Sequence, residues 1–591
     1  MGKRILEIAM VGAAAIIAAA CCSMQPEQEY RISWDRSSFN CLTEMPVPAE
    51  GYIERNLYYP RIKRVADGGL LLSFMDDHYG WNVFTCRSED DGRTWGPVTK
   101  VRACHPGVST LGEDEVVYVN PDFLQLKDGR IMLAWQWRYR KGYGDLPNTN
   151  MNCGIEIAFS NDGGRTWGEP REVYRGRCWE PAMLELPSGE IHMYLTDSQK
   201  IEQNMSCPKT SLIRSFDGGE TWQGKPCCTW EDVEGISYTR DSRFGYDGMA
   251  TAVLLDDGSI AMSIEVWSGK YVVDQTPVVV KTPSNWHDVD QETLLKDGGP
   301  AYPLKKQVNK DMVGYGPYIG RLPGGQVLVL TNGQYRGEQG VWVLEGDGKA
   351  DNFTHGTSPF QGYWGSIDYI GNGKVIATGT ERYRDAGELR GRVNYITGRI
   401  NYGKCLKKND LPELLAPEAY DRDNPDSWFL GARDSAVSTF YDFGYSADGF
   451  TLRSHVYTDK ISSFTLENSD ASVIQIGRGK EVYKLATGPS GEWKLFELDN
   501  CSWHETASGE TSEIIVTGTV NDDGDADTGF ASSVTVAWKL LGGTPRSGEV
   551  FRIHPARWIK TASKEKAARL WEEPQGENPD LPSDWLPVVL K

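Results

Sequence analysis

Two glutamates offer the clearest chemistry in this sequence. Glu180 lies in the stretch CWEPAMLELPSGEIHMYL, between a tryptophan and a proline at the start of an apolar strand, and Glu265 lies in SIEVW. A charge in such a place costs free energy unless it has a use. Glycoside hydrolysis usually needs two carboxyl groups, one protonated and one ionised, and a separation of about 5–5.5 Å gives retention whereas a longer one gives inversion. The pair therefore predicts a glycosidase-type site if the fold brings the two side chains together.

The elements that must position this pair are repeated along the chain. A glycine-centred turn followed by an alternating strand occurs six times, with the turn glycines at Gly68, Gly129, Gly189, Gly258, Gly325 and Gly373. One four-stranded blade per repeat predicts an all-β protein with a six-bladed β-propeller over residues 45–403. In that fold Glu180 and Glu265 lie on neighbouring blades, three and four, at one mouth of the central channel.

Three octamers form a second repeat: SEDDGRTW, SNDGGRTW and SFDGGETW. The aspartates Asp90, Asp162 and Asp217 are expected to accept hydrogen bonds from the backbone of their own turns, and each tryptophan can pack between layers. We predict that these turns lie on the face of the propeller opposite Glu180. The octamers resemble the Asp box of the sialidase-like β-propellers.

Further polar residues precede the turn glycines and are expected to ring the same mouth as Glu180. We predict that Arg61, Asn120, Asp247 and Tyr315 bind substrate, and that Tyr363 hydrogen-bonds a nucleophilic carboxylate. A guanidinium at Arg61 would hold such a carboxylate ionised or bind a hydroxyl group. The alternative is that this polar ring only solvates the channel mouth.

A more specific resemblance rests on the stretches CWEPAMLELPSGEIHMYLTDS, FGYDGMATAVLLDDGSIAMSIEVW and GYWGSIDYI, which occur in this order over residues 50–400. Together they resemble glycoside hydrolase family 93, the exo-α-1,5-L-arabinanases. The resemblance implies a retaining enzyme that releases arabinobiose from non-reducing ends. It also implies that Glu180 and Glu265 are the catalytic pair and that Tyr363 supports them. We favour Glu180 as the nucleophile.

Three other functions stay open at this point. An exo-sialidase uses a tyrosine nucleophile and three arginines that clamp the substrate carboxylate. Arg61 matches the first of these, but Asp247 and Tyr315 occupy the corresponding positions in blades four and five, and Arg243 is offset. A glycosidase of another specificity and a non-catalytic sugar-binding propeller are the remaining alternatives. The sequence contains no zinc-type cysteine pair, P-loop or dinucleotide fingerprint, and therefore no metal or cofactor is predicted.

The blade pattern ends near residue 403. Residues 404–427 are rich in proline and aspartate and are predicted to form a linker. Alternating strands over 428–560 predict an antiparallel β-sandwich, which resembles the family 9 carbohydrate-binding modules. Residues 561–591 are expected to be a C-terminal tail.

The first residues have the pattern of an export signal. A basic start and a 16-residue apolar segment, ILEIAMVGAAAIIAAA, predict a signal peptide over 1–20, followed by a tether over 21–44. Cys21 has the context of a lipidated cysteine, so we expect an exported monomer that is held at the bacterial outer membrane through its lipid. The net charge of −20 argues against nucleic acid as a partner. The glycosidase-type pair and the resemblance to family 93 imply an oligo- or polysaccharide substrate.

Overall fold

The structure is a computed structural model that describes residues 29–47, 51–54, 56–78, 80–198, 208–236, 246–268, 272–286, 307–433, 437–522, 524, 526–546, 549–560, 568–571 and 585–590. The predicted signal peptide, Cys21 and Arg243 lie outside the described residues. The helices in the described part are short 3-10 turns, and none has the length or the apolar character that crossing a membrane requires. These turns are Arg36–Ser38, Gly142–Gly144, Leu146–Met151, Lys408–Asp410, Pro417–Ala419, Leu466–Asn468 and Trp538–Leu540.

Strands make up the rest of the regular structure, and the first 28 belong to or border a propeller. The strands before the first blade are β1 (Arg31–Trp34), β2 (Asn40–Leu42), β3 (Glu44–Val47) and β4 (Gly51–Glu54). Blade one contains β5 (Leu57–Arg64), β6 (Leu70–Asp76), β7 (Val83–Ser88) and β8 (Thr99–Arg102). Blade two contains β9 (His105–Ser109), β10 (Gly112–Gln125), β11 (Ile131–Tyr139), β12 (Cys153–Ser160) and β13 (Arg171–Arg175).

The remaining blades follow in chain order. Blade three contains β14 (Cys178–Glu185), β15 (Ile191–Asp197), β16 (Lys209–Ser215) and β18 (Glu234–Gly235), and β17 (Cys228–Thr229) extends blade two. The described strands of blade four are β19 (Tyr246–Leu254), β20 (Ile260–Ser268) and β21 (Val272–Thr282). Blade five contains β22 (Met312–Arg321), β23 (Val327–Tyr335), β24 (Glu338–Glu345) and β25 (His355–Thr357). Blade six contains β26 (Tyr363–Gly371), β27 (Lys374–Asp385) and β28 (Glu388–Asn401).

An N-terminal strand completes the sixth blade. β1 pairs antiparallel with β28, from Arg31 opposite Asn401 to Trp34 opposite Gly398. The ring is therefore closed by a strand that lies more than 350 residues before the strand it joins, and β1 becomes the outer strand of blade six. Residues 31–34 lie within the segment predicted as a tether, so the propeller begins earlier than residue 45.

The Asp-box turns lie at the end of the blades away from Glu180, as predicted. In blade three Ile191 pairs with Ser215, the first residue of an Asp box, whereas Trp179 pairs with Thr196 at the opposite end of the strands. Each box has the same contacts: Asp162 accepts the backbone N–H of Thr166 at 2.9 Å and its hydroxyl at 2.5 Å. The boxes stabilise the turns and take no part in the site.

The C-terminal region is a β-sandwich, as expected. Its strands are β29 (Cys405–Lys407), β30 (Trp428–Gly431), β31 (Ser438–Tyr445), β32 (Gly449–Tyr457), β33 (Ala471–Arg478), β34 (Glu481–Thr487), β35 (Glu492–Asp499), β36 (Ser502–Glu510), β37 (Glu513–Thr517), β38 (Gly529–Ala537), β39 (Val550–Ile559), β40 (Ala568–Trp571) and β41 (Leu586–Val589). One sheet has the order β29-β31-β32-β38-β37, and the other has the order β36-β35-β34-β33-β39-β40.

Two predicted boundaries of this region differ from the structure. β29 starts at Cys405, inside the predicted linker, and pairs with β31. β40 and β41 lie inside the predicted tail and both pair with β39. The apolar core between the two sheets explains why these segments join the fold, since Cys405 and Leu586 are buried in it beside Phe443.

Candidate active site

The first strand of every blade contains a β-bulge near the channel mouth. The pairing with the second strand gains one extra residue in each of the six blades. The bulged residues have left-handed backbone, with φ of 54°, 55°, 58°, 50°, 64° and 54° at Tyr59, Asn120, Glu180, Met249, Gly316 and Trp364. A bulge changes the direction of its side chain relative to the regular alternation of the strand. The backbone bulge in blade three therefore sets the direction of the Glu180 side chain.

The position of the bulge is constant in sequence. The bulged residue precedes the turn glycine of its blade by nine positions in all six blades. The sequence-based alignment allowed seven to eleven positions. It therefore identified Asn120 and Glu180 correctly as equivalent, but it aligned Arg61, Asp247, Tyr315 and Tyr363 with them although these residues do not occupy the bulge.

A second repeated position links each blade to the next. We call the residues seven positions after each turn glycine the latch residues: Met75, Gln136, Thr196, Glu265, Asn332 and Thr380. Five of them accept the bulge N–H of the following blade, whereas Gln136 donates to the Cys178 carbonyl instead. The bulge N–H donates to the latch side chain at 2.9 Å for Met249 to Thr196, 2.8 Å for Gly316 to Glu265, 3.1 Å for Trp364 to Asn332 and 3.0 Å for Tyr59 to Thr380. Glu265 is thus the latch residue of blade four.

The bulge of blade three and the latch of blade four bring the two glutamates together. Burial raises the pKa of both carboxyl groups, and the charge of Glu265 raises the pKa of Glu180 further. The Thr196 hydroxyl donates to Glu180 Oε2 at 3.1 Å and, with the nearby Arg61 guanidinium, opposes that rise. The backbone N–H of Gly316 lowers the pKa of Glu265 and so opposes the effect of burial. Two coupled carboxyl groups with raised pKa values can hold one proton between them near neutral pH.

Aromatic side chains surround the pair. Burial and the charges of both glutamates raise the pKa of Tyr246, so its hydroxyl lies in the field of both carboxylates. The Tyr246 ring packs on Trp267, with ring centroids 6.0 Å apart. Tyr59 is buried next to Arg61, and the charge of Glu180 also contributes to its raised pKa. This environment is polar at its centre and apolar at its walls, as sugar sites are.

Two of the predicted substrate-binding residues are buried and have structural contacts instead. The Arg61 side chain is 3% exposed; its guanidinium donates to the Trp364 carbonyl at 3.1 Å and lies 3.9 Å from Asp122 Oδ2. Asp247 is fully buried and accepts the Thr210 N–H at 2.8 Å. Arg61 therefore acts on the site only through its charge, and Asp247 anchors β19 to β16.

The other predicted residues lie at the mouth. Asn120 is half-buried in the blade-two bulge, and Tyr315 is 37% exposed beside Tyr246. Neither glutamate is among the main interactions of Tyr363. The guanidinium carbon of Arg382 lies 4.9 Å from the centroid of the Tyr363 ring, and Tyr58 and Tyr315 lie nearby.

Sequence reasoning missed Thr196 and Tyr246. Each lies one position before an aspartate, Asp197 and Asp247, and a shift of one residue in a strand moves a side chain to the opposite face. The constant spacing from the turn glycine was the signal that could have found Thr196. Within the described residues no group of three or more His, Cys, Asp and Glu could hold a metal ion.

Comparison with known proteins adds little beyond the fold. No family model matches the sequence, and no curated protein is similar to it. Solved structures similar to this one include a protein of unknown function from Dyadobacter fermentans, with 15% identity, a TM-score of 0.43, and coverage of 61% of this chain and 99% of that one. Others are the Penicillium chrysogenum α-L-arabinanase complexed with arabinobiose (17% identity, TM-score 0.38, 60% and 98% coverage) and the NanB sialidase of Streptococcus pneumoniae (11%, 0.40, 67% and 73%). At these values the function must be inferred from the site itself.

Proposed function

We propose that the protein is a retaining, exo-acting glycoside hydrolase that releases arabinobiose from α-1,5-linked L-arabinan. The observation that supports this most is the coupled pair Glu180 and Glu265 at the propeller mouth, each held by one donor and each with a raised pKa. Two carboxyl groups that share a proton fit glycoside hydrolysis by either stereochemical course, and the retaining course is taken from the resemblance to family 93. The choice of arabinan and of the exo mode depends on the resemblance of the stretches around Glu180 and Glu265 to family 93.

In the proposed reaction one carboxylate attacks the anomeric carbon while the other carboxylic acid protonates the leaving oxygen. The glycosidic C–O bond breaks, a glycosyl ester forms, and the alcohol leaves with the proton. The second group, now ionised, then removes a proton from water, which attacks the anomeric carbon and releases the free carboxylate. We take Glu180 as the nucleophile, as favoured from the sequence, and Glu265 as the acid/base, although burial and the charge of Glu265 raise the pKa of Glu180 more than burial raises that of Glu265.

The remaining features belong to the same proposal. The protein would be an exported monomer anchored through Cys21, and the sandwich would bind polysaccharide as family 9 modules do. In that sandwich Trp558 is 2% exposed and belongs to the core, whereas Trp493 and Trp503 are half-buried and more accessible.

The test is a hydrolysis assay of the purified protein with linear arabinan, arabino-oligosaccharides and sialyl-lactose. Arabinobiose as the first product, with the anomeric configuration of the substrate in an NMR time course, is the expected result. Release of sialic acid would favour the sialidase alternative, and inversion would contradict the assigned mechanism. Binding of arabinan without turnover, unchanged by Glu180→Gln, would identify a sugar-binding propeller.

A further inference from the structure

Arg177 is a buried cation beside the candidate active site. It lies three residues before Glu180, just ahead of β14, and is 8% exposed. Its guanidinium carbon lies 5.0 Å from the ring centroid of Tyr143 and 5.3 Å from that of Trp179. Both rings are half-buried, and they meet edge to face with centroids 6.4 Å apart. The guanidinium is therefore held against two aromatic faces next to the bulge that carries Glu180.

Arg177 differs from the other buried arginines in its lack of a carboxylate partner. Its Nε and Nη1 atoms have no hydrogen-bond partner, and no described carboxylate lies within ion-pair distance. Every other buried arginine of the described residues does have an acidic partner within 4.0 Å: Arg31, Arg61, Arg87, Arg214, Arg399 and Arg557. A buried charge without a partner is destabilising, and in a chain of net charge −20 acidic partners are abundant.

Other cations lie near Arg177. The Arg138 guanidinium carbon lies 4.9 Å from the same Tyr143 ring, and burial lowers the pKa of Arg138. Burial and the charges of Arg382 and Arg138 lower the pKa of His78 in turn. Arg138 and Arg382 therefore both lie within electrostatic range of His78.

We propose that Arg177, with Arg138, Tyr143 and Trp179, forms a subsite for a carboxylate-bearing sugar near the candidate active site. Guanidinium groups bind carboxylates through two parallel hydrogen bonds, and an indole face packs on a sugar ring. This inference rests on the proposed glycosidase function and adds to its substrate class: the polysaccharide carries a uronic acid close to the arabinan chain that is cleaved.

The test compares an acidic sugar with its neutral counterpart. Binding of D-galacturonate and of its methyl ester to the full-length protein is measured by titration calorimetry and by the fluorescence of the tryptophans. The ester has the same ring without the charge. We expect the acid to bind at least tenfold more tightly than the ester. Arg177→Gln should lower the affinity for the acid by about 10- to 100-fold and leave the affinity for the ester unchanged. Arg140→Gln is the matched control, because Arg140 is exposed and paired with Glu115 at 3.4 Å.

Several results would overturn the subsite. Equal binding of acid and ester by the wild-type protein would do so without any variant. A loss of stability in Arg177→Gln with an unchanged preference for the acid would show a structural cation–π contact only. Displacement of galacturonate by inorganic phosphate at equal concentration would indicate a site for small anions. Glu180→Gln separates this inference from the catalytic proposal: it should keep the preference for galacturonate while losing turnover.

Discussion

Thr196 is expected to set the protonation of Glu180. Its hydroxyl oxygen accepts the Met249 N–H at 2.9 Å, so its single proton is left for Glu180 Oε2 at 3.1 Å. A donor aimed at a carboxylate favours the ionised form and lowers its pKa. Thr196→Val keeps the shape of the side chain and removes both contacts.

The size of the effect follows from these two contacts. A hydrogen bond to a charged group contributes about 1.5–3 kcal/mol, so its loss should raise the pKa of Glu180 by about 1 to 2. The Met249 N–H loses its Thr196 acceptor and keeps only its interaction with Glu180, which should cost about 1 kcal/mol of stability.

The assay is the pH dependence of kcat/KM on the arabino-oligosaccharide substrate. If Glu180 is the nucleophile it must be ionised, so Thr196→Val should move the acidic limb to higher pH. If Glu180 is the acid it must be protonated, and the alkaline limb should move instead. Thr196→Ser, which keeps the hydroxyl, should restore the wild-type profile.

A matched control lies in another blade. Thr380 is a latch residue that accepts the Tyr59 N–H at 3.0 Å, and no carboxylate is among its contacts in the described residues. Thr380→Val should cost similar stability and leave both limbs in place. If Thr196→Val also leaves both limbs in place, or if Thr380→Val moves them equally, Thr196 does not control Glu180.

Three further predictions concern the pair and its supports. Glu180→Gln and Glu265→Gln should each lower kcat by about 10²–10⁴-fold in the same assay. Because the folded state raises both pKa values, it favours the protonated forms and loses stability as pH rises above the ordinary glutamate range; each glutamine variant should therefore melt about 2 °C or more above wild type near pH 8 and equal it near pH 4 in calorimetry. Gly316→Ala places a Cβ 2.8 Å from the Asn332 side chain at a φ of 64° and should lower both kcat and the melting temperature; normal activity would show that the N–H to Glu265 is dispensable. Asp162→Ala should lower the melting temperature without changing kcat, and a change in kcat alone would contradict a purely structural Asp box.

The sequence was sufficient for the architecture because the turns repeat. Each of the six turn glycines has a positive φ, between 68° and 95°, so a glycine recurs at the same position of every blade and can be recognised in the sequence. The strand that closes the ring has no such sequence signal. β1 is four residues long and pairs with β28, which lies more than 350 residues further on. No local pattern connects the two, and only the open edge of blade six explains the pairing.

The candidate site was predicted in part. Glu180 and Glu265 stood out because carboxylates in apolar strands are conspicuous, and both lie at the mouth. Arg61 and Asp247 stood out for the same reason, yet their charges are used inside the fold. Thr196 and Arg177 could not be recognised as readily, because a threonine in a strand is ordinary and an arginine without a partner is visible only when its surroundings are known.

The repeated bulge and latch also explain how the scaffold accommodates catalytic groups. The bulge needs only a backbone N–H and a left-handed conformation, and Tyr59, Asn120, Met249 and Trp364 adopt it as well as Glu180 does. The latch needs only an acceptor, which a hydroxyl, an amide or a thioether also provides in the other blades. Either position therefore accepts a glutamate without a change of backbone. The cost is then the desolvation that raises both pKa values, and that same shift is what acid–base chemistry near neutral pH requires.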